Sequence, residues 1–271
     1  MPTSRPKASN PRASGIERKA STYLLGTVQK ALNVLNLFVT RPVLSFTEIR
    51  DALRFNKATL FRLLFTLEQN NYLARDEHGR YHLGINAFVL GNSFSRESLI
   101  RRVATPHLAE LSAKIGMTVQ MGILEGTAVV ILQKLDPPSS IKMFSRVGAV
   151  VPAHCTGQGK TLLAYSPREK VEEILAEHGL TRYTPHTITM AKGLFAELRA
   201  IRKRGYTIDN SEHEKHIRCV AVPVLNDQGM IEAALSITAT VMDFPDDDTI
   251  AWHAAVLRET AERIRKELKF S

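Results

Sequence analysis

Residues 45–83, SFTEIRDALRFNKATLFRLLFTLEQNNYLARDEHGRYHL, decide the architecture of the first third of the chain. Ser45 followed three residues later by Glu48 has the form of a capping box, which opens a helix. Ile49, Ala52 and Leu53 give that short helix a buried side. Arg54, Phe55 and Asn56 then make a tight turn, with Asn56 placed to cap the next helix. There Leu60, Leu63, Leu64 and Leu67 fall at i, i+3, i+4 and i+7 and take the core face. Lys57, Ala58, Thr59, Phe61, Arg62 and Thr66 are left on the outside, with no acidic residue before Glu68. Two short extended runs follow, Tyr72–Arg75 and Arg80–Leu83, joined by the turn sequence Asp76-Glu77-His78-Gly79.

Upstream, Val28, Ala31, Leu32, Val34, Leu35 and Phe38 form an apolar stripe at helical spacing, and Pro42 stops it. Helix, short helix, tight turn, helix and basic hairpin make a winged helix-turn-helix over residues 27–83. A helix of this size fits the major groove of DNA with its N-terminal side chains at the base edges. Lys57, Ala58, Thr59 and Arg62 are the residues expected there, and Arg75 and Arg80 sit where a wing meets the phosphate backbone. Phe61 is out of place on such a face; it either faces the partner or packs back on the second helix.

Charge supports this reading. Residues 1–100 hold 14 Lys and Arg against 7 Asp and Glu, a net of +7, while the other 171 residues hold 22 against 20. Positive charge is thus concentrated where phosphate would be met. The first 26 residues are basic, rich in Pro and Ser, and read as a disordered arm. They lack the apolar core of a signal peptide, and no 18-residue apolar run occurs, so a cytoplasmic protein without a membrane span is expected. Two cysteines, Cys155 and Cys219, make no disulfide framework.

Downstream, Gly84–Glu97 carries Ile85, Phe88 and Val89 on one side and reads as a linker helix, followed by a helix over Leu99–Ile115. Extended runs are expected at Thr118–Leu124, Ala128–Lys134, Ile141–Val147, Cys219–Leu225 and Ile231–Thr238. Helices are expected at Gly159–Tyr165, Pro167–His178, Leu194–Arg204 and Asp246–Leu268. Strands in runs with flanking helices make an α+β domain with a mainly antiparallel sheet.

Enzymatic motifs fail on inspection. Gly157-Gln158-Gly159-Lys160-Thr161 lacks the glycine a phosphate-binding loop needs five residues before Gly159, where His154 stands. The segment reads instead as a glycine turn opening a helix whose free N–H groups suit an anion. His154 and Cys155 are sequence neighbours, and adjacent strand residues point to opposite faces, which makes a poor nucleophile–base pair. His213, His216 and Cys219 would gather a metal only on a helix, and the segment reads as a loop. No catalytic site, metal or cofactor is expected.

Three stretches together resemble one family. Residues 27–84, from TVQKALNVLNLF to GRYHLG, are similar to the head of IclR-family transcriptional regulators. SRVGAVVPAHCTGQGKTLLA (145–164) and RGYTIDNSEHEKHIRCVAVPVLNDQGMIEAALSITA (204–239) look like that family's effector-domain signatures. The resemblance implies a dimer or dimer of dimers on a palindromic double-stranded DNA site. It also implies a GAF-like C-terminal domain that binds a small, carboxylate-bearing metabolite. That effector would lie against the main chain of Gly157 and Gln158, lined by Asp209, Cys219, Ser236 and Thr238. Alternation agrees for Ser236 and Thr238, which share one face of a strand. Gln158 is larger than the small residue the resemblance leads one to expect, and would narrow or re-aim the pocket. Met121, Met143 and Phe144 are candidate apolar walls. The expected organisation is an arm (1–26), a DNA-binding head (27–83), a linker helix (84–98) and an effector and oligomerisation domain (99–271).

Overall fold

A computed structural model describes residues 24–92, 95–137 and 145–269. Residues 1–23 of the expected arm and the candidate walls Met143 and Phe144 lie outside the described residues. The chain divides into two compact units, Met1–Phe94 and Ser95–Ser271.

The first unit contains helices α1 (Gly26–Thr40), α2 (Phe46–Leu53) and α3 (Lys57–Gln69), the hairpin β1 (Leu73–Arg75) and β2 (Tyr81–Leu83), and α4 (Ile85–Asn92). The local signals act as chemistry requires. Ser45 and Glu48 close a reciprocal capping box on α2, and the Asn56 side chain accepts the Thr59 N–H to start α3. Between them Arg54 adopts a left-handed conformation, φ 54°, which lets the chain reverse in three residues. Val34, Phe38, Ile49, Leu60, Leu64 and Leu73 pack into one apolar core. Leu44 pairs with Tyr81 and ties the entry of α2 to the hairpin.

The second unit starts with α5 (Ser95–Ile115) and builds a six-stranded antiparallel sheet in the order β5-β4-β3-β8-β7-β6. Its strands are β3 (Thr118–Glu125), β4 (Ala128–Leu135), β5 (Val150–Val151), β6 (Thr207–Asn210), β7 (Ile217–Leu225) and β8 (Ile231–Thr240). Helices α6 (Gly157–Tyr165), α7 (Arg168–His178) and α8 (Ala191–Arg204) lie between β5 and β6 in sequence, and α9 (Asp247–Leu268) closes the chain. The α+β reading holds.

The strands' period of two separates two chemistries. Val119, Met121 and Ile123 of β3, Val220, Val222 and Val224 of β7, and Leu235 and Ile237 of β8 pack with α5 and α9. Leu162 and Leu163 of α6 build a second core on α7 and α8 with Val171, Ile174, Leu194 and Leu198. The alternate residues Gln120, Cys219, Ser236 and Thr238 do not join either core and line a cavity with the start of α6.

Several sequence expectations change. The strand expected at Ile141–Val147 is not one where described: Ser145 and Arg146 are irregular, Val147 begins a turn, and only Val150–Val151 pairs with β4. The four-residue edge strand β6 carries too few residues to show a period. The helix after the head begins at Ser95 rather than Leu99, and α4 ends at Asn92. Helix α6 starts two residues earlier than Gly159, because Thr156 caps it by accepting the Gly159 N–H. Met121 is fully buried in the core opposite the cavity, so it forms no cavity wall. Among the described residues no helix is long and apolar enough to cross a membrane.

Candidate functional site

On the head, the leucines of α3 turn inward and leave Lys57, Ala58 and Arg62 exposed and Thr59 half-buried. Neither Lys57 nor Arg62 makes an ion pair with a described residue, so both charges are available. The wing arginines differ. Arg75 Nη2 donates to Glu68 Oε2 at 2.9 Å while its guanidinium lies 4.8 Å from the Tyr81 ring centre. Arg80 Nε donates to Asp76 Oδ2, also at 2.9 Å. Each of these arginines therefore reaches a phosphate only by sharing or leaving a carboxylate. Phe61 does not pack away on α2: it is 55% exposed and stacks on Phe65 with ring centres 6.3 Å apart.

In the second unit, the residues expected around an effector converge. Gly157, Gln158, Asp209, Cys219, Ser236 and Thr238 all line one cavity of about 230 Å³, together with Gln120, Ser145 and Thr156 among others. Strand register explains the convergence. Asp209 stands opposite Cys219, and Cys219 opposite Thr238, so a residue from each of β6, β7 and β8 forms one cross-strand row. Gln120 stands opposite Ser236 one row along. The α6 N-terminus points at these rows. The capping Thr156 takes the Gly159 N–H, which leaves the Gly157 and Gln158 N–H groups without an intrahelical acceptor.

Close approach demands glycine here. A Cβ on Gly157 would lie 2.6 Å from Cys219 Sγ. The Gln158 side chain folds over Gly122, where a Cβ would sit 2.5 Å from its Oε1. Gln158 Nε2 donates to Ser236 Oγ at 3.0 Å, so this side chain takes up space and one hydroxyl lone pair in the cavity. Sequence reasoning missed the glycine at 122 that receives it. A glycine within an otherwise apolar strand is the signal for such a close approach.

The electrostatics are unusual for an anion site. The described lining contains Asp209 and Glu214 and neither Lys nor Arg. Asp209 accepts the Glu212 N–H at 2.7 Å, yet burial outweighs that bond and pushes its carboxyl up to about 7. Burial likewise pushes the Cys155 and Cys219 thiols up to about 12, so neither is a thiolate nucleophile near neutrality. His154 sets its Nε2 3.0 Å from the Thr181 carbonyl, and burial holds its pKa down. His213 lines the cavity from an irregular segment, and His216 has φ 65° just before β7. Among the described residues no three metal-ligating side chains converge.

Behind the cavity lies Lys160, which the sequence reading used only to reject a phosphate-binding loop. Its Nζ is buried, donates to the Ile208 carbonyl at 2.7 Å, and pairs with Glu212 Oε1. Glu212 Oε2 is buried with no hydrogen-bond partner among the described residues. This pair pins the loop after β6, and so Asp209, to the first turn of α6.

Asp209 also makes folding pH-dependent. The folded state holds its proton up to about 7, whereas an unfolded aspartate releases it near about 3.9. Between these values the native state binds more protons, so stability falls as pH rises from about 4 to about 7. Denaturant unfolding at pH 5 and pH 8 is expected to show a smaller difference for Asp209→Asn than for the parent chain. Equal differences would remove Asp209 as the cause.

A helix-turn-helix head and a sheet domain carrying a small polar cavity are the parts of a transcriptional regulator with an effector-binding domain, the class to which the matching families and relatives belong. The family model described as the IclR helix-turn-helix domain matches residues 27–77, and that described as bacterial transcriptional regulator IclR C-terminal matches 94–266. The chain therefore belongs to the IclR family. It is 32% identical to the HTH-type transcriptional regulator KdgR of Dickeya chrysanthemi over 91% of this chain and 81% of that one. It is also 32% identical to XynR of Escherichia coli K12 over 91% and 98%. Among solved structures it is similar to an IclR homologue from Microbacterium hydrocarbonoxydans complexed with 4-hydroxybenzoate (TM-score 0.80, 26% identity, 90% of this chain and all of that one). The Thermotoga maritima IclR gives a TM-score of 0.73 at 32% identity, covering 90% and 99%.

Proposed function

We propose that this chain binds a palindromic operator in cytoplasmic DNA as a dimer or dimer of dimers, and that a small carboxylate metabolite in the cavity around Gly157 modulates that binding. The observation that carries the reading is the convergence of Gly157, Gln158, Asp209, Cys219, Ser236 and Thr238 on one cavity at a helix start. The carboxylate class is supported by the amides at the start of that helix, which have no intrahelical acceptor, and by the similar solved protein complexed with 4-hydroxybenzoate. A helix N-terminus contributes about 0.3–1 kcal/mol, up to ~2, against the ~8 kcal/mol of a micromolar complex. Ser236, Thr238 and Asp209 in its protonated form supply much of the rest. On the head, Lys57, Ala58, Thr59 and Arg62 meet the major groove while Arg75 and Arg80 meet the backbone. Residues 84–98 carry the signal from effector domain (99–271) to head (27–83), with the arm (1–26) adding sequence-independent contacts.

The test is fluorescence anisotropy on DNA from upstream of the chain's own gene, titrated with salt, unlabelled competitor and a panel of small carboxylates. Log affinity is expected to fall against log salt by about 0.9 per phosphate contact, and Arg62→Ala is expected to weaken binding roughly 10-fold or more. One or more carboxylates should shift the curve in the parent chain and not in Ser236→Ala. Binding no better than to random DNA and untouched by Arg62→Ala would remove the head assignment. A carboxylate response that survives Ser236→Ala and Asp209→Ala would move the effector elsewhere.

A further inference from the structure

The structure assigns Phe61 as the side chain that reads thymine, by laying its exposed ring on the C5-methyl group in the major groove. This rests on the reading of the head as a DNA binder. The leucines of α3 take the core, so Ala58, Phe61 and Phe65, at i, i+3 and i+7, make a separate apolar stripe on the outside. Phe61 and Phe65 are 55% and 49% exposed, and their rings stack at 17°. Phe65 thus backs Phe61 and restricts where its ring can lie. Charge brackets the stripe: Lys57 precedes it by one residue and Arg62 follows Phe61 directly. Phe61 also borders an open hollow that Phe46 of α2, Lys57 and Ala58 of α3, and Arg75, Gly79 and Tyr81 of the hairpin line. An apolar ring flanked by two cations that have no ion pair among the described residues suits a polyanion with an apolar group on its edge, which is a description of duplex DNA at a thymine.

The base edges decide which nucleotide. In the major groove guanine, cytosine and adenine show only donors and acceptors, and thymine alone adds a methyl group. A phenyl ring over any other edge would desolvate polar atoms without replacing their hydrogen bonds, which is unfavourable. Phe61 therefore selects for thymine both by contact and by exclusion of the alternatives. Its place in the second turn of α3, one turn beyond Ala58, puts it within the N-terminal part of the helix that reaches base edges.

Duplexes with a random core are selected on the full-length parent chain, and the enriched pool is amplified once with thymidine and once with deoxyuridine, which lacks only the methyl. Burying one methyl is worth roughly 4-fold in affinity, so the thymine pool should bind about 4-fold tighter for one contact, and about 16-fold for one in each half of a dimer's site. Phe61→Ala should bring that ratio to about one, while Phe61→Leu, which keeps an apolar group and controls for folding, should retain most of it. Equal binding of both pools by the parent chain overturns the assignment, as does an unchanged ratio in Phe61→Ala. Failure of any pool to enrich would instead overturn the DNA-binding reading beneath it.

Discussion

Replacing Lys160 by Met is expected to destabilise the second unit by about 3–5 kcal/mol, the cost of leaving one member of a buried ion pair alone. Methionine fills much of the same volume, so the loss is electrostatic. Glu212 keeps its burial but loses the Nζ on Oε1, its Oε2 already lacks a partner, and the Ile208 carbonyl loses its donor. Arg204 offers no substitute, because its Nη2 is bound to Glu197 at 2.6 Å. For a domain of this size the loss corresponds to roughly 10 °C in the unfolding midpoint. The pH dependence follows from the same physics. Burial already raises the Glu212 carboxyl above its usual range, and the Lys160 charge opposes that rise. Without the lysine the raised pKa climbs further, so the variant's deficit should shrink as pH falls and Glu212 takes up a proton. Adding Glu212→Gln should recover most of the stability at pH 8. A Lys160→Met chain within about 1 kcal/mol of the parent at pH 8 would show that the pair does not hold the α6 end of the cavity.

Gly159→Ala is expected to be the most damaging added methyl among the described glycines of the second unit, at about 3 kcal/mol or more. In an ordinary helix the change would stabilise by roughly 0.5–1 kcal/mol through backbone entropy. Here the added Cβ would lie 2.5 Å from the Ala153 Cα, against the Ala153 carbonyl oxygen, and 2.6 Å from Thr156 Oγ1. Two of these atoms are backbone and cannot turn aside, so α6 must move off the bend that precedes it. Overpacking of this kind commonly costs about 1–3 kcal/mol, and more where the backbone must shift. The third atom is the hydroxyl that caps α6, so the same step takes the Gly157 and Gln158 amides out of register with Ser236 and Thr238. Denaturant unfolding together with carboxylate titration measures both losses. A Gly159→Ala chain of parental stability that still responds to the ligand would mean that the approach of α6 to Ala153 is not required.

Local chemistry was legible from the residues alone. The Ser45–Glu48 box, the Asn56 cap and the leucines of α3 are decided within a few residues of chain, where hydrogen bonds and helical period act without distant partners. The strand at Val150–Val151 and the edge strand Thr207–Asn210 were not legible, because two or four residues carry no period and their pairing is set by β4 and β7. Met121 looked like a cavity wall by composition. Which side of the sheet it faces depends on registry with β8, and that places it in the apolar core.

The sequence by itself determined a winged helix-turn-helix head, an α+β second domain and the residue types around one polar cavity. The head and the class of the second domain follow from period, caps and charge, all short-range, whereas the cavity residues follow from the resemblance to the IclR family. Only the tertiary structure decided that Asp209, Cys219 and Thr238 stand in one row, that Gln158 lies over Gly122 onto Ser236, and that Lys160 is buried on Glu212. Each depends on strand register and helix approach between residues tens of positions apart. The energies that set those distances come from packing the whole sheet against its helices, and no window of the sequence contains them.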